Sequence, residues 1–162
     1  MRRWAITVIA LWTTAVAQDS IPSPDGRLIA YRTPNLRDGL GQRLFVRLAR
    51  DAAPSRLLLQ NDHYMDAIDA QWSPDSKFLA VTNHTDPHVT VVLVFRVSGH
   101  GSIPDAQLVF ISPDPGVWDT KWFVSGWDTS SRTILLEKHV AGEQPERSKR
   151  FRIGTKSLEL PH

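Results

Sequence analysis

Cysteine is absent from all 162 residues. That excludes disulfides, thiol catalysis and anchoring through a lipidated cysteine, so the core alone must hold the fold. The chain has no Gly-x-Ser-x-Gly elbow, no phosphate-binding glycine loop and no His-Glu-x-x-His. The usual marks of a serine hydrolase, a nucleotide-binding protein and a zinc peptidase are therefore missing, and neither a cofactor nor a metal is expected. No apolar stripe of period 3.6 is long enough for a helix. An excess of one charge is lacking as well. The chain carries 19 Lys and Arg against 17 Asp and Glu, and without Arg2 and Arg3 the balance is 17 against 17. No broad field favours nucleic acid or an anionic membrane.

Long hydrophobic runs are confined to the start. Arg2 and Arg3 precede the apolar stretch Trp4–Ala17, which is diluted by Thr7, Thr13 and Thr14 and ends in Ala15-Val16-Ala17. A positive segment, a short apolar segment and a small-x-small site predict a secretory signal peptide over residues 1–17. An uncleaved anchor is the alternative, but the run falls short of the ~20 residues that a span needs. The expectation is a secreted or periplasmic protein, with a bacterial envelope favoured by the lack of cysteine, and no stable membrane insertion after cleavage. About 145 residues would remain, enough for one core.

What is present is a repeat. Asp69-Ala70-Gln71-Trp72-Ser73-Pro74-Asp75-Ser76-Lys77-Phe78-Leu79-Ala80-Val81-Thr82 reads as two short strands around a tight turn. Pro74 pre-sets φ at the second turn position, and Ser73 and Asp75 can bond their side chains to the backbone. Ser23-Pro24-Asp25-Gly26-Arg27-Leu28-Ile29-Ala30 repeats the pattern 50 positions earlier. Fifty positions later, Asp119-Thr120-Lys121-Trp122 meets Asp69-Ala70-Gln71-Trp72, and going back Asp69 falls on Asp19. A fixed period of this size predicts a repeat architecture.

The motif Trp-Ser-Pro-Asp-x-Lys-x-Leu-Ala resembles the repeat of TolB-type, WD-repeat-like β-propellers. The resemblance covers Asp19–Thr33 and Asp69–Thr82. In a third unit it rests on Asp119 and Trp122, with Phe123-Val124-Ser125-Gly126 expected in place of the Pro turn and an insertion running to Ser131. It implies four-stranded blades with the Ser-Pro-Asp turn between the inner strands, and a role in protein–protein contact at the periplasmic face of the envelope.

The remaining segments read as strands. Gln42–Leu48 and Ser55–Gln60 complete a first unit. Met65–Trp72, a strand ending at Thr82, His88–Val97 and Ala106–Ile111 form a second, with Asn83–Pro87 as a turn. A third opens near Val117-Trp118-Asp119 and continues with Thr133–Lys138, Arg150–Ile153 and Ser157–Leu160. The fold class is all-β, with repeats of about 50 residues at roughly 18–66, 67–116 and 117–162. Propellers close with about four to eight blades, so three leave an open arc. A repeat cannot bury its faces alone, which predicts self-association or capping by a protein partner, or a closed arrangement of three sheets.

Few residues carry possible chemistry. Asp62, His63 and Tyr64 lie just before an inner strand, where a propeller mouth takes ligands, and are the candidate binding residues. His84-Thr85-Asp86-Pro87-His88 holds possible metal ligands around a turn, but a polar hairpin tip is the simpler reading. Asn83-His84-Thr85 is a glycosylation sequon. Asp69 and Asp119 are expected to fix turns through backbone N–H groups. Trp72 and Trp122 are expected between repeats, flanked in the third by Trp118 and Trp127. The basic run Arg147–Arg152 reads as a solvated edge. The functional expectation is a binding or scaffolding module. The alternative is a small hydrolase or lyase of small or carbohydrate substrates, with Asp62, His63 and Asp66 at the mouth.

Overall fold

The computed structural model describes residues 19–34, 41–50, 53–62, 67–113, 119–144 and 149–154. These form eleven strands and no helix: β1 (Ser20–Pro22), β2 (Leu28–Pro34), β3 (Gln42–Leu48), β4 (Ser55–Asn61), β5 (Ile68–Trp72), β6 (Phe78–His84), β7 (Thr90–Ser98), β8 (Asp105–Ile111), β9 (Thr120–Trp127), β10 (Thr133–Val140) and β11 (Lys149–Arg152). The protein is all-β. β1 to β4 make a four-stranded antiparallel sheet, and β5 to β11 make a seven-stranded one; neither closes into a barrel. The larger sheet is two antiparallel meanders, β5–β8 and β9–β11, joined by one parallel bridge between Thr90 and Lys121. That bridge is possible because β8 pairs with β7 only from Leu93 onward. The signal peptide expected over residues 1–17, the strand expected at Ser157–Leu160 and Trp118 lie outside the described residues.

The core explains the stacking. Leu28, Ala30, Leu44 and Val46 alternate along β2 and β3 and bury one face of the first sheet against Ile68, Trp72, Leu79, Val81, Leu93 and Phe95. The other face of the middle meander, through Ala80, Val92 and Val94, packs on Trp122, Ile134, Leu136 and Ile153. Among the described residues, the middle meander is thus covered on both sides and the outer two units on one. Sequence dictates this difference. β6 and β7 carry the unbroken apolar runs Leu79-Ala80-Val81 and Val91-Val92-Leu93-Val94-Phe95, as a doubly buried sheet requires. In β3, arginines alternate with the buried residues, as suits a sheet with one wet face.

The turns show how one geometry is reached by two chemistries. In the first two, the N–H of Ser23 or Ser73 donates to the carbonyl of Leu28 or Phe78 (2.9 and 2.8 Å). The serine hydroxyl donates to Asp25 or Asp75 (2.7 and 2.8 Å), and that carboxylate accepts from the N–H of Arg27 or Lys77. The third turn was expected at Phe123–Gly126. Instead β9 runs through those residues to Trp127, and the turn is Asp128–Ser131, closed by Asp128 N–H to Thr133 O at 3.0 Å. Here the side chains exchange roles: Asp128 stands first and accepts from the Ser130 hydroxyl at 2.6 Å. The inner strand is longer here, with eight residues in β9 against five in β5, and one of the extra residues is a bulge. Leu135 pairs with Gly126 and Leu136 with Val124, so Ser125 is extra, and Trp127 rather than Trp122 ends the inner strand as Trp72 does. The 50-residue spacing therefore becomes 55 at the third turn, from Ser73 to Asp128.

The fourth turn residue has positive φ in all three, at Gly26 (70°), Ser76 (62°) and Ser131 (57°). Glycine takes this conformation freely, and serine is strained in it. The serines are there for a bond. Asp25 N–H donates to the Ser76 hydroxyl at 3.0 Å, and Asp75 N–H donates to the Ser131 hydroxyl at 3.2 Å. The three turns are tied in a row along one end of the stack.

Several smaller boundaries differ from expectation, two of them at one turn. β6 continues to His84, and the following turn includes His88 and Val89, because Asp86 accepts from both of their N–H groups (2.6 and 2.9 Å).

Candidate functional site

The strands enter and leave at the end opposite the turns, and the expected binding residues fall there. Asp62 follows β4 and accepts from Gln60 Nε2 at 2.6 Å. His63, Tyr64 and Asp66 lie outside the described residues, so both the binding trio and the alternative hydrolytic set are represented by Asp62 alone.

The periodic acids gather at this end: Asp19 and Asp69 share one partner, and Asp119 has another. Arg32, inside β2, reaches across to the middle meander. Its Nη1 donates to Ile68 O (2.7 Å) and Asp69 (3.1 Å), and its Nη2 to Asp19 (2.7 Å). Asp69 therefore binds a guanidinium rather than the backbone N–H groups expected. Asp119, at φ 67°, faces His88 Nδ1 at 3.2 Å. Arg32 gave no sequence signal, since nothing marks a mid-strand arginine as a cross-sheet clamp.

The histidines do not share a ligand. His84 Nδ1 lies 2.9 Å from Thr90 Oγ1, and His88 turns to Asp119. Among the described residues no group of three His, Asp or Glu side chains could hold a metal. Burial lowers the His84 pKa from its ordinary value, with Lys121 adding to the effect and Asp69 opposing it. A hydroxyl beside a histidine suggests a nucleophile and its base. Thr90 is 0% exposed, however, and no substrate could reach it. This pair is structural. The sequon asparagine is also unavailable: Asn83 is buried, and its Oδ1 accepts from Asn61 Nδ2 at 2.9 Å.

The tryptophans sit between sheets. Trp72 Nε1 donates to Ile21 O of the first sheet at 2.9 Å. Trp122 packs edge-on to Phe151 with centroids 5.8 Å apart, and Trp127 stacks on Phe78 at 6.1 Å. The Nε1 groups of Trp122 and Trp127 have no acceptor. None of the three forms an open sugar platform.

The turn end holds two concavities that no sequence motif marks. Ser73, Asp75, Ser76 and Lys77 belong to the repeated turn, and two clefts of about 350 and 460 Å³ flank it. The first lies between the first two turns, under Arg27, Leu48 and His100. The second lies between Lys77, Arg96, Arg132 and Arg152. Their residues come from strands far apart in the chain, and only the recurring basic residue after each turn (Arg27, Lys77, Arg132) could have hinted at them. The Ser23 hydroxyl, chiefly, holds the Asp25 carboxyl below the usual range, and Ser130 does so for Asp128. Comparison with protein-family models, curated proteins and solved structures gives no match to this chain.

Proposed function

We propose that this chain is a secreted, protein-binding scaffold made of three blade-like units in the manner of a TolB-type propeller, and that it self-associates through the outer faces of its stack. The observation that carries the reading is one-sided burial. The first sheet turns Leu28, Ala30, Leu44 and Val46 inward and leaves Ile29, Tyr31, Phe45 and Leu57 on its other face. Tyr31 and Phe45 stack at 5.4 Å, and Leu57, paired with Phe45, is 47% exposed. A row of apolar side chains across three strands, between Arg43 and Arg47, supports reading this face as a contact surface. The side of β9 and β10 away from Trp122 and Leu136 carries Lys121, Phe123, Glu137 and His139, with Phe123 also meeting His84 of the middle meander. Laying the first face of one copy on this side of another would join two arcs into a ring of six units.

Light scattering behind a sizing column tests this on the full chain. The expected result is twice the chain mass, reverting to one chain in Phe45→Arg/Leu57→Glu. A wild type that runs as a monomer at high concentration overturns self-association.

A further inference from the structure

The second turn-end cleft is a cationic pocket with an apolar floor. Phe78 and Ile153 line it, Trp127 stacks behind Phe78, and its volume is about 460 Å³, in the range of small-ligand sites. Its charge is built by equivalent positions. Lys77 and Arg132 each follow the positive-φ residue of a turn. Arg96 pairs with Phe78, the first residue of β6, and Arg152 pairs with Thr133, the first residue of β10. In the first sheet the same station holds Leu48, opposite Leu28. The arginines thus belong to the second and third units alone.

Their surroundings do not neutralise them. Arg96 Nη2 donates to the neutral Gln107, which orients it. Asp75 lies 3.5 Å from Lys77 while also serving its turn. Among the described residues no acid pairs with Arg132 or Arg152. Yet these two are neighbours, because Ile153 N–H donates to Arg132 O at 2.7 Å. Arg152 stands opposite Thr133, one residue along from Arg132, so both line the same cleft, and a bound anion would relieve the repulsion among its four cations. Among the described residues, the elements packed around the cleft supply Asp75 as the one acid against Lys77, Arg96, Arg132 and Arg152.

We infer that this cleft binds a phosphate monoester carrying an apolar or aromatic group. The guanidinium forks offer more donors than a carboxylate can accept, and they match a tetrahedral dianion with three free oxygens. Phe78 and Ile153 take the apolar part.

The test uses the full chain, with inorganic phosphate, phenyl phosphate and benzoate titrated by calorimetry. Phenyl phosphate should bind more tightly than phosphate, and benzoate most weakly. Arg132→Gln/Arg152→Gln should weaken phenyl phosphate about tenfold or more, the loss of one or two charged hydrogen bonds. Arg132→Lys/Arg152→Lys keeps the charge without the fork and should fall between. The glutamine variant should also melt higher than wild type without ligand and gain less from it. Benzoate binding as tightly as phenyl phosphate, no binding by wild type, or undiminished binding by a folded glutamine variant would overturn the site.

Discussion

The two seams of the stack are built differently. The first, between β1–β4 and β5–β8, is largely aliphatic and crossed by many polar ties. Trp72 reaches Ile21 O, and Arg32 reaches Ile68 O and Asp69. Gln42 Oε1 accepts from Ile68 N–H, and Asn61 Nδ2 donates to Asn83 and His84 O. The second seam is richer in rings, with Phe78, Phe110, Trp122, Trp127 and Phe151. Its cross-seam ties include the Ser131 hydroxyl, the His88–Asp119 pair and one parallel bridge. It also buries two indole N–H groups without acceptors. Apolar burial drives both seams together, but directional bonds fix how the sheets sit. The first seam is over-determined in that sense, and the second is held mainly by shape.

The sharpest way to break the comparison is to open one seam at a time. Leu79 and Leu136 are both fully buried, one in each cluster. Leu79→Ala and Leu136→Ala should each cost about 2–5 kcal/mol. They should differ in where the cost appears. Hydrogen exchange in Leu136→Ala should rise in β9–β11 and leave β2–β4 protected. In Leu79→Ala exchange should rise throughout. Equal acceleration everywhere in Leu136→Ala would mean that the seams open together.

Next in size is the indole contrast. Trp72→Phe leaves Ile21 O without its donor and should cost about 1–3 kcal/mol, read by denaturant unfolding. Trp122→Phe removes a donor that has no acceptor, so relief offsets lost volume and the net change should stay within about 1 kcal/mol. Similar losses would show that ring volume, not the polar tie, distinguishes the seams.

The strands and the first two turns were legible because each uses local chemistry: alternation in β3, unbroken apolar runs in β6 and β7, and Ser-Pro-Asp between them. The third turn was not. Asp128 and Ser130 swap the roles of serine and aspartate, and β9 is both longer than β5 and bulged at Ser125, so matching Trp122 to Trp72 misplaced the turn by five residues. The clamp by Arg32 and the arginine cleft were illegible for another reason. Arg96, Arg132 and Arg152 meet only through register, and a basic run at Arg147–Arg152 alone reads as a wet edge. The candidate site residues His63 and Tyr64 lie outside the described residues, so of that trio Asp62 alone is placed.

Smaller effects sharpen the picture at the turns. Ser131→Ala removes a tie on the second seam and Ser76→Ala one on the first; each should cost about 0.5–1.5 kcal/mol in thermal unfolding. Because the second seam has fewer substitutes, Ser131→Ala should be the more damaging. The smallest effect is a pH slope. The folded-state pKa of His84 lies below the 6.5 of the free side chain, so the unfolded chain binds its proton first as pH falls. Its contribution is fully present above 6.5 and declines as the pH drops toward the folded value. His84→Asn should flatten stability across that window, read by denaturant unfolding at a series of pH values.

The row of turns has a consequence for lengthening the molecule. Each tie runs one way, from an aspartate N–H to the hydroxyl of the following unit. The array is therefore polar, like a filament with unlike ends. A copy of the middle unit spliced between the second and third would find a hydroxyl to donate to and would offer Ser76 in return. The same copy placed ahead of the first unit would meet Gly26, which presents a hydrogen where a hydroxyl is needed. Glycine at that position terminates the chain of bonds at one end, and Gly26→Ser is the single change that would reopen it.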